Sequence, residues 1–209
     1  MTMLYRLDAP APLVGRTFET DSHSDPWNGG PVGPNQFAPV ITAGREAIAG
    51  PAPRARQPRR MVPRLWGVVP PLSASDNRSH GILTARNLDS PFWIGNLRNS
   101  EFRCLVPMSA FMEWGGLDPT SGKRRQVWYG CADQPIFAVA GVWKDSEVPA
   151  FALVTCPANA ALRETGRETM PVVLPPDPRA HDTWLRGGWD KASALITPYA
   201  SSMLTTTTR

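Results

Sequence analysis

The chain has 209 residues, 42% of them hydrophobic, and carries 22 Lys and Arg against 18 Asp and Glu for a formal net charge of +4. That length supports one sizeable domain with a real core rather than two comfortable ones. No apolar run reaches the roughly 18 residues of a membrane span, and no basic segment leads into an apolar one as a secretory signal would. The expectations are a cytoplasmic protein with no membrane partner.

The apolar runs are short and rich in β-branched and aromatic residues. In chain order, 37–41, 64–69, 103–114, 126–129, 135–143 and 150–155 read as strands. Residues 20–35, "TDSHSDPWNGGPVGPN", and residues 50–60 read as turn-rich loops. Helices are expected over 158–164 after Pro157, over 177–185 after Pro175-Pro176, and over 190–195 with Asp190 as cap. The 23 prolines and 17 glycines exclude long uninterrupted helices. Many strands with a few short helices imply an α+β fold, a β-rich curved sheet or barrel in a single domain over 1–209.

Cys104, Cys131 and Cys156 form no CxxC pair, and His23, His80 and His181 are scattered. They read as reduced, mostly buried thiols, and no metal or cofactor is expected. The charge is uneven. Arg54, Arg56, Arg59, Arg60 and Arg64 fall within 54–64 among prolines, and Lys123, Arg124 and Arg125 form a second cluster. Each reads either as a solvated loop or as a rim facing phosphates. Most of the eight tryptophans read as packing, with one or two free to stack on bases.

Nine blocks occur in a telling order: "LYRL" at 4–7, "FAPVI" at 37–41, "RLWGVVPP" at 64–71, "TARN" at 84–87, "SPFW" at 90–93, "RCLVPMSAFMEW" at 103–114, "FAVAGVW" at 137–143, "FALVTCPANA" at 151–160 and "MPVVL" at 170–174. In this the chain resembles the SRAP family, the SOS-response-associated peptidases that process abasic sites. The resemblance covers nearly the whole chain. It implies an α+β domain with a basic groove for single-stranded DNA. It also implies an N-terminal Cys, exposed by removal of Met, that closes a thiazolidine on the aldehyde of an abasic site, with Asn, Glu and His around it.

Carried over residue by residue, the family Cys falls on Thr2, the Asn on Thr84 and the His on Arg167, while the Glu is kept as Glu113 and a phosphate-holding Arg as Arg86. Glu113 would serve as general acid or base. Arg6, Arg64 and Trp66 join Arg86 in the expected DNA-binding set. A freed Thr2 amine, with a pKa of about 8, can still form an imine, since amines condense with carbonyls. Its hydroxyl would close only an oxazolidine, which hydrolyses far more readily than a thiazolidine. Arg167 cannot serve as a base near neutral pH.

The function expected by resemblance is a single-stranded DNA-binding protein of the DNA-damage response. It would recognise abasic sites with catalysis reduced or lost, act as a monomer, and associate with the nucleoid when DNA-bound. The alternative is an active N-terminal-threonine enzyme, either an abasic-site lyase acting through an imine or a peptidase.

Overall fold

The computed structural model describes residues 4–22, 25–43, 51, 55–71 and 81–208. Thr2, His23, Arg54 and His80 lie outside these residues. Twelve strands fall in two sheets among the described residues.

The larger sheet is built from β3 (Phe37–Thr42), β4 (Arg60–Trp66), β6 (Arg103–Met108), β9 (Phe137–Lys144) and β10 (Ala150–Pro157). Its hydrogen bonding runs β10-β4-β3-β6-β9, and β9 pairs β10 again from Ala150↔Lys144 to Leu153↔Gly141. The ring closes, so these five strands form a small barrel. Closure leaves no unpaired strand edge within the ring. It also explains the composition. β6, β9 and β10 are buried nearly throughout, so they read as continuous apolar runs rather than alternating ones. Two short strands extend β10 outside the ring: β5 (Thr84–Ala85) in parallel and β11 (Thr169–Pro171) antiparallel.

The second sheet has the order β12-β8-β7-β1-β2, from β1 (Tyr5–Leu7), β2 (Gly30–Val32), β7 (Ala110–Leu117), β8 (Arg124–Cys131) and β12 (Leu204–Thr208). Its inner face packs on the barrel through aromatic rings. Tyr5 meets Trp66 edge-on at 5.0 Å, and Phe111 stacks on Tyr129 at 5.4 Å and meets Phe137 at 6.5 Å. Such contacts add to the area they bury.

The run 103–114, expected as one strand, is two. The chain leaves the barrel at Ser109, whose N–H donates to Arg6 O at 2.6 Å and whose Oγ accepts from Asp8 N at 2.9 Å. β6 therefore belongs to the barrel and β7 to the second sheet. The expected loop 20–35 contains β2, recruited as an edge strand by pairing with β1.

Among the described residues five short helices lie around the sheets: α1 (Ala11–Thr17), α2 (Ile94–Arg98), α3 (Ala160–Glu164), α4 (Pro178–Arg186) and α5 (Trp189–Ser193). Asn159 caps α3 by accepting from Leu162 N, and Asp177 caps α4 by accepting from Arg179 N. Asp190 does not cap α5; Gly188 occupies that place and Asp190 sits in the first turn. The helix α1 was absent from the expected set because Pro10 and Pro12 flank its start, yet proline suits a first helical turn.

Helix α4 docks on β6, with Trp184 Nε1 donating to Cys104 O at 2.9 Å. Beneath it lies Arg103, fully buried, which stacks 5.7 Å over Trp184 and donates to Gly187 O. Burial lowers the pKa of this guanidinium to about 10. The loop carrying the basic cluster is tied to the same helix. Asp182 accepts Arg56 at 2.5 Å and Arg59 at 3.1 Å, and Arg186 lies 3.4 Å away. Arg59 also donates to Phe18 O at 2.9 Å and Pro178 O at 3.0 Å. The phosphate-rim reading of 54–64 is thus corrected for Arg59, whose donors are taken up by Asp182 and two backbone carbonyls of α4 and the end of α1. Arg56 stays exposed beside Asp182.

Two stability predictions follow from this packing. A Cβ on Gly141 would lie 2.7 Å from Cys104 Sγ and 2.8 Å from Val106 Cγ2, so Gly141→Ala overpacks the barrel and costs about 1–3 kcal/mol by chemical denaturation. His181 is buried beside Arg59, and burial first, then that charge, lowers its pKa. The unfolded state therefore binds a proton at His181 more readily, beginning near its ordinary value of about 6.5, and stability falls as pH drops through and below that value. In melting curves from about pH 7 to 5, His181→Phe flattens this part of the slope.

Candidate functional site

The site is organised by the end of β7. Tyr5 pairs with Phe111, and Met112 N–H donates to Leu4 O at 3.0 Å, so the first described residue lies beside the residue preceding Glu113. On β8, Val127 faces Glu113. Strand alternation places Phe111 and Glu113 on the barrel-facing side and Met112 with Trp114 on the other. Glu113 is only 1% exposed.

A buried carboxylate needs a partner, and the turn after α3 supplies one. Gly166 N–H donates to Arg163 O at 2.8 Å and Arg167 N–H to Leu162 O at 3.1 Å. This is the paired bonding of a Schellman helix end. Gly166 takes φ +75°, a left-handed conformation that suits glycine. The turn aims Arg167 at β7. Its Nε donates to Trp114 O at 3.2 Å, its Nη2 to the same carbonyl, and its Nε lies 3.6 Å from Glu113 Oε2. Arg167 is thus a clamp on the strand that carries Glu113. Tyr129 OH lies 3.4 Å from Thr165 Oγ1 and joins the same turn to β8.

Thr84 and Arg86 arrive from the barrel. Thr84 is buried in β5 opposite Leu153, and Thr155 Oγ1 donates to Ala85 O at 3.1 Å. Arg86 follows immediately and is exposed, with no hydrogen bond or ion pair among the described residues. β11 pairs the last residues of β10, from Thr155↔Pro171 to Pro157↔Thr169, just after Arg167. The Thr84–Arg86 segment and the Arg167 turn therefore flank the same end of β10. The structure brings Glu113 and Arg167 together directly, and it sets Arg86 beside the β10 end without a contact to that pair.

Two of the expected DNA-binding residues are corrected. Trp66 is 0% exposed, donates from Nε1 to Leu83 O at 3.1 Å and stacks on Phe151. It packs the barrel and offers no face to a base. Arg64 is 7% exposed, lies 4.7 Å over the Trp143 ring and donates to Pro63 O at 3.1 Å, so its guanidinium is turned inward. Arg6 is half-buried, paired with Asp8 at 2.8 Å and 5.9 Å from the Trp128 ring centre. Tyr129 and Thr165 were not among the expected site residues.

The clamp predicts two measurable effects. Arg167→Ala leaves Trp114 O and Glu113 without this donor and costs about 1–3 kcal/mol by denaturant titration. In a double-mutant cycle, much of that cost is absent when Glu113 is already Gln. Gly166→Ala forces a side chain into left-handed backbone and costs about 1–2 kcal/mol, although no atom lies within 4 Å of the new Cβ.

Three solved structures share the fold. A protein from Bacteroides thetaiotaomicron matches with a TM-score of 0.73 and 16% identity, over 99% of this chain and 91% of that one. A protein from Bordetella bronchiseptica matches with a TM-score of 0.71 and 18% identity, over 99% of each chain. A phage-related protein from the same organism matches with a TM-score of 0.67 and 18% identity, over 100% of this chain and 94% of that one. No curated protein matches. The profile of one family matches residues 9–208, nearly the full length. With the ordered blocks and the fold in agreement, the chain belongs to the SOS response associated peptidase (SRAP) family.

Proposed function

We propose that this SRAP-family chain binds single-stranded DNA, including strands with an abasic site, as a monomer and with its covalent chemistry curtailed. The observation that carries the reading is Arg86. It is exposed, it stands beside the β10 end that also flanks the Arg167 turn, and it has no partner among the described residues. An exposed guanidinium presents a planar fork of donors suited to a phosphate. The acid of the site points the other way. Glu113 is held beside Arg167, a group that cannot take a proton near neutral pH. A site that retains its phosphate-facing cation and converts its His position into a permanent cation suits binding a polyanion better than shuttling protons.

The test is affinity for a fluorescent single-stranded oligonucleotide across a salt series. Arg86→Ala weakens binding by about one to two orders of magnitude at low salt, in line with about 1.5–3 kcal/mol for a charge-assisted bond. It also flattens the slope of log K against log salt by about 0.7, the share of one phosphate on a single strand. Unchanged affinity and slope would remove Arg86 from the interface.

The pairing of Leu4 with β7 favours a second reading. Thr2 is two residues upstream of Leu4, a span of at most about 7 Å, so a freed Thr2 amine is within chain reach of the Glu113 neighbourhood. Its nitrogen would add to the aldehyde carbon of an abasic site. The carbinolamine would then lose water to give an imine. Borohydride reduces an imine to a stable amine, so intact-mass analysis after incubation with abasic DNA reads it directly. The binding reading predicts wild-type affinity with little trapped adduct. Stoichiometric adduct lost in Glu113→Gln would establish the enzyme reading instead.

A further inference from the structure

The β7–β8 hairpin carries a feature that the site around Glu113 does not use. Its register slips between Trp114 and Leu117: Trp114 faces Gln126 and Leu117 faces Arg124, so one strand has an extra residue. Bulges of this kind bend a hairpin and re-aim its side chains. Gly115 lies at the slip, where a Cβ would come within 2.9 Å of Val127 Cγ2. Beyond the bend, an open cavity of about 840 Å³ is lined by Trp114, Ser121, Lys123, Arg124 and Gln126, with Asp118 and Arg125. That volume falls in the range of ligand-binding clefts.

The charges in this trough are not balanced. Asp118 accepts from Thr120 N at 3.0 Å and Ser121 N at 2.8 Å, and its own N–H donates to Lys123 O at 2.7 Å. These bonds fix the tip, and those from Ser121 do most to hold the Asp118 carboxyl below its ordinary pKa. Its carboxylate then takes Arg125 at 3.2 Å. The side chains of Lys123 and Arg124 are exposed and make no hydrogen bond or ion pair among the described residues. Two uncompensated cations therefore overlook a half-buried indole and an amide. The trough also adjoins the Glu113 site, because the Trp114 carbonyl is the group that Arg167 clamps.

We propose that this hairpin trough seats the flank of a bound single strand, with Lys123 and Arg124 each holding a phosphate outside the reach of Arg86. The inference rests on the DNA-binding reading and adds the path of the strand. An aromatic floor with cations at its rim suits nucleotides, which offer a π-face and a phosphate at every step. An acidic peptide offers the charge without the ring.

The experiment compares fluorescent oligothymidylates of about five and about twenty nucleotides, lengths that bracket a minimal and an extended single-strand site. Lys123→Ala/Arg124→Ala flattens the salt slope for the long strand by about 1.4, two phosphates at about 0.7 each, and leaves the short strand unchanged. Arg16→Ala/Arg179→Ala, which removes two exposed charges elsewhere, is the control for bulk electrostatics. An unchanged slope for the long strand overturns the subsite. So does an equal loss in the control variant, or hairpin-dependent binding of polyglutamate as tight as that of the long strand. If the wild-type protein binds neither length, the DNA-binding reading itself falls, a result distinct from failure of the hairpin alone.

Discussion

The hydrogen bonding of β10 is the constraint on which the rest depends. Along its first half it pairs with β9 and so closes the barrel. Along its second half it carries β5 on one side and β11 on the other. One strand thus completes the core and then extends beyond it, fixing two loops against its end. Arg86 follows the first of those short strands and Arg167 precedes the second. Since the barrel has no edge to slip along, the register of β10 is tightly specified, and the loops inherit that precision. The second sheet contributes Glu113 because the chain switches sheets at Ser109, which sends β7 across the barrel instead of around it.

Arginine is the other organising theme, mostly inside the protein. Arg103 stacks under α4, Arg64 covers Trp143, Arg59 ties the end of α1 to α4 and Arg167 clamps β7. Arg59 and Arg167 deliver several donors from one planar group, Arg64 and Arg103 give one hydrogen bond each to a backbone carbonyl, and such side chains bury their stems against apolar surface. A positive net charge is therefore a poor guide to the protein's outer surface. The exposed cations are fewer than the sequence suggests, and Arg86 at the β5 end and Lys123 and Arg124 on the hairpin are among them.

Much of the architecture was legible in advance. Short β-branched runs separated by turn residues placed six segments on strands, although 64–69 shares only 64–66 with β4 and 103–114 covers both β6 and β7. Helices α3 and α4 were legible from Pro157 and from Pro175-Pro176, which precede them. Segments whose structure comes from partners were not legible. β2 is glycine and proline in a loop-like context and becomes a strand only through β1. β12 is a threonine run that forms along β8. The site was half legible: Glu113 and Arg86 sit in recognisable blocks and Arg167 lies just ahead of one, whereas Trp66 and Arg64 were assigned to a surface that the barrel encloses.

By itself, the sequence determined the family, the α+β class, and the chemistry that each position can offer, since residue type and local periodicity are properties of the chain. Tertiary structure decided which of those groups face water. It turned Arg64 and Trp66 inward, tied Arg56 and Arg59 to α4, paired Arg167 with Glu113 and left Arg86, Lys123 and Arg124 exposed. The physical reason is that exposure and partnership are set by strands far apart in sequence: a side chain on β4 or β7 learns its environment only when β10 closes the barrel and the second sheet packs upon it.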